Sequence, residues 1–215
     1  NGTTCFPDDK LKFQGHASIQ AHVSKANRML GIIRRSFTNL NEINFRKLYT
    51  ALIRPHLEYA ITIWHPQLKK TVKEIEGVQR RGTKLVPALR HLEYSNRLRK
   101  LKLPTLTHRR MRGDLIEAYK IFNHYSTDPK EILHPNNPNS ITRGHQFKLD
   151  KQRNSTSIRN KFFSQRIVNN WNSLPHDIVN SPSINSFKNK LDKQLLKNHE
   201  TLFNYEAAPD LIRNH

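Results

Sequence analysis

Between Ser18 and Phe37 the apolar residues recur as Ile19, Val23, Ala26, Leu30 and Ile33, at spacings of four, three, four and three. This is the period of an α-helical turn and not the alternation of a strand, so it predicts an amphipathic helix over 18–37. The same period returns along most of the chain. Asn39 with Glu42 three residues later resembles a capping box opening a second helix that carries Phe45, Leu48, Leu52 and Ile53. Pro55 lacks an N–H and crowds the preceding turn, so that helix must kink or break near Arg54, before Leu57, Tyr59, Ile63 and Trp64.

Further helices are expected over 69–85, around Tyr94 to Leu101, over 106–122, through Phe162, Phe163, Ile167, Val168 and Trp171, and from Ser183 through Phe187, Leu191 and Leu195. From Ser126 to about Arg159 the pattern dissolves into Pro129, Pro135, Pro138 and many Asn, Ser and Thr, which reads as a long loop and a subdomain boundary. At the other end, Asp8-Asp9 reads as a turn before a short strand through Leu11 and Phe13. The predicted fold class is mainly α. An extended segment over 1–16 precedes a helical domain over 17–125, a linker over 126–159, a smaller helical subdomain over 160–198 and a fraying tail over 199–215.

Charge narrows the function. The chain has 215 residues and a formal net charge of +20. Fourteen lysines and arginines lie between Lys69 and Arg112 against three glutamates, a net of +11. Projected at ~100° per residue, Val72, Ile75, Val78, Gly82 and Leu85 fall on one side of the helix over 69–85, and Lys70, Lys73, Arg80, Arg81 and Lys84 fall opposite. Over 106–122, Met111, Leu115, Ala118, Tyr119 and Phe122 share a face, with Arg109, Arg110 and Lys120 across from them and Leu106 as an exception. A solvated helix face normally balances its charges, and here the acids are too few. The expected partner is therefore a polyanion, with RNA or DNA ahead of an anionic membrane surface. The candidate phosphate-binding residues are Lys73, Arg80, Arg81, Lys84, Arg97, Arg109, Arg110 and Arg112. Tyr59, Trp64 and Trp171 are candidates for stacking on bases or for packing, and the apolar setting of Tyr59 and Trp64 favours packing.

Other chemistries find little support. A single cysteine, Cys5, excludes an intrachain disulfide and a thiolate zinc cluster, and the chain reads as intracellular with no apolar run of membrane-spanning length. The twelve histidines form no His-x-x-x-His pair with a third ligand nearby, so no metal site is expected. No G-x-S-x-G turn and no Gly-rich phosphate loop is present. Phe6-Pro7-Asp8-Asp9 superficially matches the aromatic-x-Asp-Asp hairpin of polymerases, but it lacks flanking apolar β residues and an earlier carboxylate strand. The first residue is Asn rather than Met, as in a piece of a longer chain.

Several separated motifs occur in order: Lys25-Ala-Asn-Arg-Met-Leu-Gly-Ile-Ile-Arg-Arg35, Leu52-Ile-Arg-Pro-His-Leu-Glu-Tyr-Ala60, Val78-Gln-Arg-Arg-Gly-Thr-Lys-Leu-Val86, Arg109-Arg-Met-Arg-Gly-Asp-Leu-Ile116 and Phe163 through Trp171-Asn-Ser-Leu-Pro175. Together, over roughly Asp8 to Leu195, they resemble the C-terminal part of jockey-type non-LTR retrotransposon reverse transcriptases, which are RNA-directed DNA polymerases. The resemblance implies a helical thumb and post-thumb region that grips an RNA template or RNA/DNA hybrid. It also implies that the catalytic carboxylates, and the Mg²⁺ they hold, belong to an upstream palm absent from this chain. The expected partners are RNA, DNA or their hybrid and the palm and fingers of the same polyprotein, in the nucleus and cytoplasm as a ribonucleoprotein. A domesticated protein-interaction module derived from such an element is the alternative. Gly82 stands where Ala is common in that family, a change that weakens a helix by about 1 kcal/mol.

Overall fold

The computed structural model describes residues 8–59, 69–123, 132–136, 145–153, 159–197 and 202–204, with the backbone alone over 8–18. The described chain is mainly helical, and its extended pairing is a single antiparallel bridge between Pro135 and Leu149. It divides into two compact units, residues 1–106 and 107–215.

The first unit opens with a long helix, α1 (Asp8–Ser36). The turn and strand expected around Asp8 to Phe13 are helical instead. Each residue added to an existing helix gains a hydrogen bond without a new nucleation cost. Helix α2 (Glu42–Leu48) is capped by Asn41, whose side chain accepts from the Asn44 N–H at 2.8 Å, two residues beyond the cap expected at Asn39. A π-helical turn, Tyr49–Ile53, follows, in which the Arg54 N–H bonds the Tyr49 carbonyl, and α3 (Arg54–Glu58) begins with Pro55 in its first turn. The break expected at Pro55 thus takes the form of a widened turn just before it. Ile63 and Trp64 lie outside the described residues.

Helix α4 (Lys69–Thr83), a 3-10 turn at Pro87–Leu89 and α5 (Tyr94–Leu101) complete this unit. Its core joins Ala26, Leu30 and Ile33 of α1 to Phe45, Tyr49, Ile53, Ile75, Val78 and Leu98, each nearly or fully buried. Gly82 marks the closest approach. A Cβ built there would lie 3.1 Å from Leu30 Cδ2 and 3.4 Å from Phe45 Cζ, so glycine lets these side chains reach the α4 backbone.

The second unit takes nearly all of α6 (Leu106–Phe122). It continues through a 3-10 turn at Arg159–Lys161 and four helices: α7 (Phe163–Arg166), α8 (Val168–Asn172), α9 (His176–Val179) and α10 (Ile184–Lys197). The division at 106/107 differs from the boundary expected within 126–159. The reason is packing: Met111, Leu115, Ala118 and Tyr119 share one core with Trp171, Phe187, Leu191 and Leu195. Leu133 and Leu149, from the stretch expected to be a linker, are buried in the same core. Leu202, within the expected tail, is buried as well.

Candidate nucleic-acid interface

Helix α4 sorts its residues by chemistry. Thr71, Ile75, Glu76, Val78, Gln79, Gly82 and Thr83 are buried, while Lys69, Lys70, Lys73, Arg80 and Arg81 are exposed, as is Lys84 one residue past its end. At the pitch of an α-helix these six cations project within an arc of about 120°. The two acids of the helix lie off that arc. Glu74 accepts a hydrogen bond from Gln20 Nε2 on α1, and Glu76 is 1% exposed. The exposed face is therefore cationic without an interleaved anion, a surface suited to phosphate oxygens.

A buried polar network holds the other side of α4 in place. The Tyr94 hydroxyl donates to Glu76 Oε1 at 2.6 Å, and the Leu106 backbone N–H donates to Oε2 at 3.0 Å. Tyr49 donates its hydroxyl to Gln79 Oε1, and Gln79 Nε2 reaches the Pro104 carbonyl at 3.1 Å. Burial, reinforced by the Glu76 charge, pushes the Tyr94 phenol far above its ordinary pKa, so it remains a donor. The Arg80 guanidinium carbon lies 5.0 Å from the Tyr94 ring centroid, a cation–π contact made by the charged end of the side chain. Arg81 Nη2 donates to Asn27 Oδ1 of α1 at 2.9 Å.

Four of the eight basic residues singled out from the sequence, Lys73, Arg80, Arg81 and Lys84, therefore share this face. The other four serve different ends. Arg97 is 3% exposed and donates to Thr83 Oγ1 at 3.0 Å and to the Leu92 carbonyl at 2.6 Å, so it belongs to the core. It stands on one stripe with Tyr94, Leu98 and Leu101, a position that helical projection of α5 reveals. Arg110 is 2% exposed and bonds Thr107 Oγ1 at 2.8 Å. Arg112 is engaged by the Asp192 carboxylate of α10 through both Nε and Nη2. Arg109 is half-buried.

The expected two-faced character of α6 is thus not realised. Leu106, His108, Arg110, Asp114, Ile116 and Ile121 are buried in addition to the predicted apolar stripe. Asp114 binds Arg166 of α7 through two hydrogen bonds of 2.8 Å. Burial outweighs that attraction and raises the Asp114 pKa, and burial lowers the His108 pKa to about 4.

Among the aromatic candidates, Tyr59 is 67% exposed and its ring lies 5.0 Å from that of His22. Trp64 lies outside the described residues. Trp171 is fully buried, stacks on Phe122 at 5.0 Å and donates its indole N–H to the Phe147 carbonyl at 2.6 Å, which makes it the centre of the second core and unavailable to bases.

The sequence counted Lys69 and Lys70 among the basic run without assigning them to the site, yet both are exposed at the start of the same face. Among the described residues no cluster of His, Cys, Asp or Glu is placed to hold a metal ion, and no helix is long and apolar enough to cross a membrane. No protein-family model, curated protein or solved structure matches the chain.

Proposed function

We propose that this chain binds nucleic acid through the exposed face of α4, neutralising backbone phosphates without reading base sequence. In this reading it is the post-palm piece of a retrotransposon RNA-directed DNA polymerase and grips an RNA template or RNA/DNA hybrid. No catalytic step is assigned to its own residues. The observation that carries the proposal is the segregation on α4: six exposed cations on one arc, with Glu74 and Glu76 both turned to other partners. Such a face releases condensed counterions when phosphates replace them, and affinity then depends on salt rather than on sequence.

The test is the salt dependence of binding to a labelled RNA/DNA hybrid, followed by fluorescence anisotropy. With about five phosphates met, log affinity falls linearly with log salt with a slope on the order of −4 to −5. The triple reversal Arg80→Glu, Arg81→Glu, Lys84→Glu weakens binding to unrelated sequences alike. Salt-independent binding, or a loss restricted to one sequence, contradicts the proposal. The absence of micromolar binding to any nucleic acid at low salt would favour a protein-interaction module instead.

A further inference from the structure

One residue on the basic face of α4 carries no side chain. Gly77 stands in the middle of the arc; its neighbours on the helix surface are the residues three and four positions away, and those seven away lie about two turns along the same face. Five of those six are cations: Lys70, Lys73, Arg80, Arg81 and Lys84. The sixth, Glu74, is occupied by Gln20.

Internal packing does not call for glycine at this position. A Cβ built on Gly77 would meet a single group within 4 Å, the flexible Nη1 end of Arg81 at 3.4 Å. Gly82, five residues on, is the contrasting case, closed over by Leu30 and Phe45. A glycine inside a helix is also less favourable than alanine, because it holds more backbone entropy to lose. The arrangement is a half-buried stretch of helix backbone without a side chain, flanked by five positive residues on the same face.

We infer that Gly77 is the point of closest approach for the nucleic-acid strand, where a backbone phosphate lies directly against α4 with the surrounding lysines and arginines converging on its oxygens. The inference rests on the proposed nucleic-acid binding and adds a geometry to it. Charge alone would tolerate a methyl or isobutyl group at the centre of the arc, whereas direct contact would not. The occupant is a phosphodiester: it is a compact anion, presented in series along a strand, and able to accept from several donors at once.

The test separates contact from charge. Gly77→Ala and Gly77→Leu are compared with the wild-type chain for binding to a labelled RNA/DNA hybrid, and thermal unfolding is recorded in parallel. Gly113→Ala serves as control, because Gly113 is an exposed glycine of α6 with nothing within 4 Å of a built Cβ. Gly77→Ala and Gly113→Ala both hold or raise the melting temperature, but only the first weakens binding. Gly77→Leu weakens binding further, by about tenfold or more, the size of one lost charged contact. Wild-type affinity in Gly77→Leu overturns the inference and leaves salt-dependent binding by α4 standing. A wild-type chain that fails to bind the hybrid at low salt overturns both.

Discussion

The hydroxyl of Tyr94 and the carboxylate of Glu76 meet at 2.6 Å inside the first unit, two residues that are 7% and 1% exposed. Because the phenol is held protonated, it is a permanent donor to a buried anion. Tyr94→Phe removes that donor and leaves the ring in place. Stability should fall by about 2 kcal/mol, the desolvation cost of a carboxylate oxygen left short of a partner. Urea unfolding measures it, and a loss below about 0.5 kcal/mol would mean that water or another donor replaces the hydroxyl.

Arg97 and Arg80 should respond in opposite ways to loss of charge. Arg97→Met removes one buried and one part-buried hydrogen bond and is expected to lower stability by about 2 kcal/mol while leaving the salt dependence of nucleic-acid binding unchanged. Arg80→Met removes a charge from the exposed face and should reduce the magnitude of the salt slope by about one. Equal effects of the two substitutions on the slope would contradict the assignment of Arg97 to the core.

The helices were legible because their apolar residues keep a period near 3.6 over two or more turns, as in α1, α4 and α10. Irregular local geometry was less so. The packing of Leu133 and Leu149 into the second core leaves no periodic trace, since it depends on partners far along the chain, and the move of the cap from Asn39 to Asn41 is too local for a helical period to register. The basic face of α4 could be read because its cations stand opposite its own apolar stripe. Arg110 and Asp114 could not be placed in the same way: α6 is packed on from several sides, and burial there is decided by Arg166 and the second core rather than by the helix's own pattern.

The two glycines tied to packing and to solvent predict opposite signs. Gly82→Ala gains helix propensity but drives a methyl into Leu30 and Phe45, so the net change should be a loss of about 1 kcal/mol or more. Gly113→Ala gains the propensity without a clash and should add about 0.5 to 1 kcal/mol. Melting temperatures of the two variants settle the comparison.

Buried histidine makes the second unit sensitive to acid. The folded chain holds His108 at a pKa of about 4 against 6.5 in the unfolded chain, chiefly because burial disfavours the charged ring. Between those values the unfolded state carries the proton and the folded state does not, so stability is lost as pH falls from 6.5 to 4, by about 3 kcal/mol. His145, 2% exposed and accepting no partner at Nδ1, is shifted in the same direction. Urea unfolding at pH 7 and pH 4 should show the loss, and His108→Gln should reduce it. An unchanged pH dependence in that variant would assign the effect elsewhere.

The Asp114–Arg166 pair should be costly to break. Asp114→Ala removes the carboxylate that faces a guanidinium whose side chain is 12% exposed, and a loss of about 3 kcal/mol is expected by urea unfolding. The double variant with Arg166→Leu should recover part of it, since the remaining buried charge is then gone.

The π-turn at Tyr49–Ile53 bears on the history of the chain as well as its shape. Phe45, Tyr49, Ile53 and Leu57 are all buried, although they are spaced by four residues each time. In an α-helix every such step overshoots a full turn by about 40°, and three steps would carry Leu57 well off the side that Phe45 faces. The wider turn absorbs the excess. Taking out one residue between Tyr49 and Ile53 would turn four, four, four into four, three, four, the spacing of α1. Geometrically the segment is an α-helix that has accepted a one-residue insertion and kept its buried side in phase.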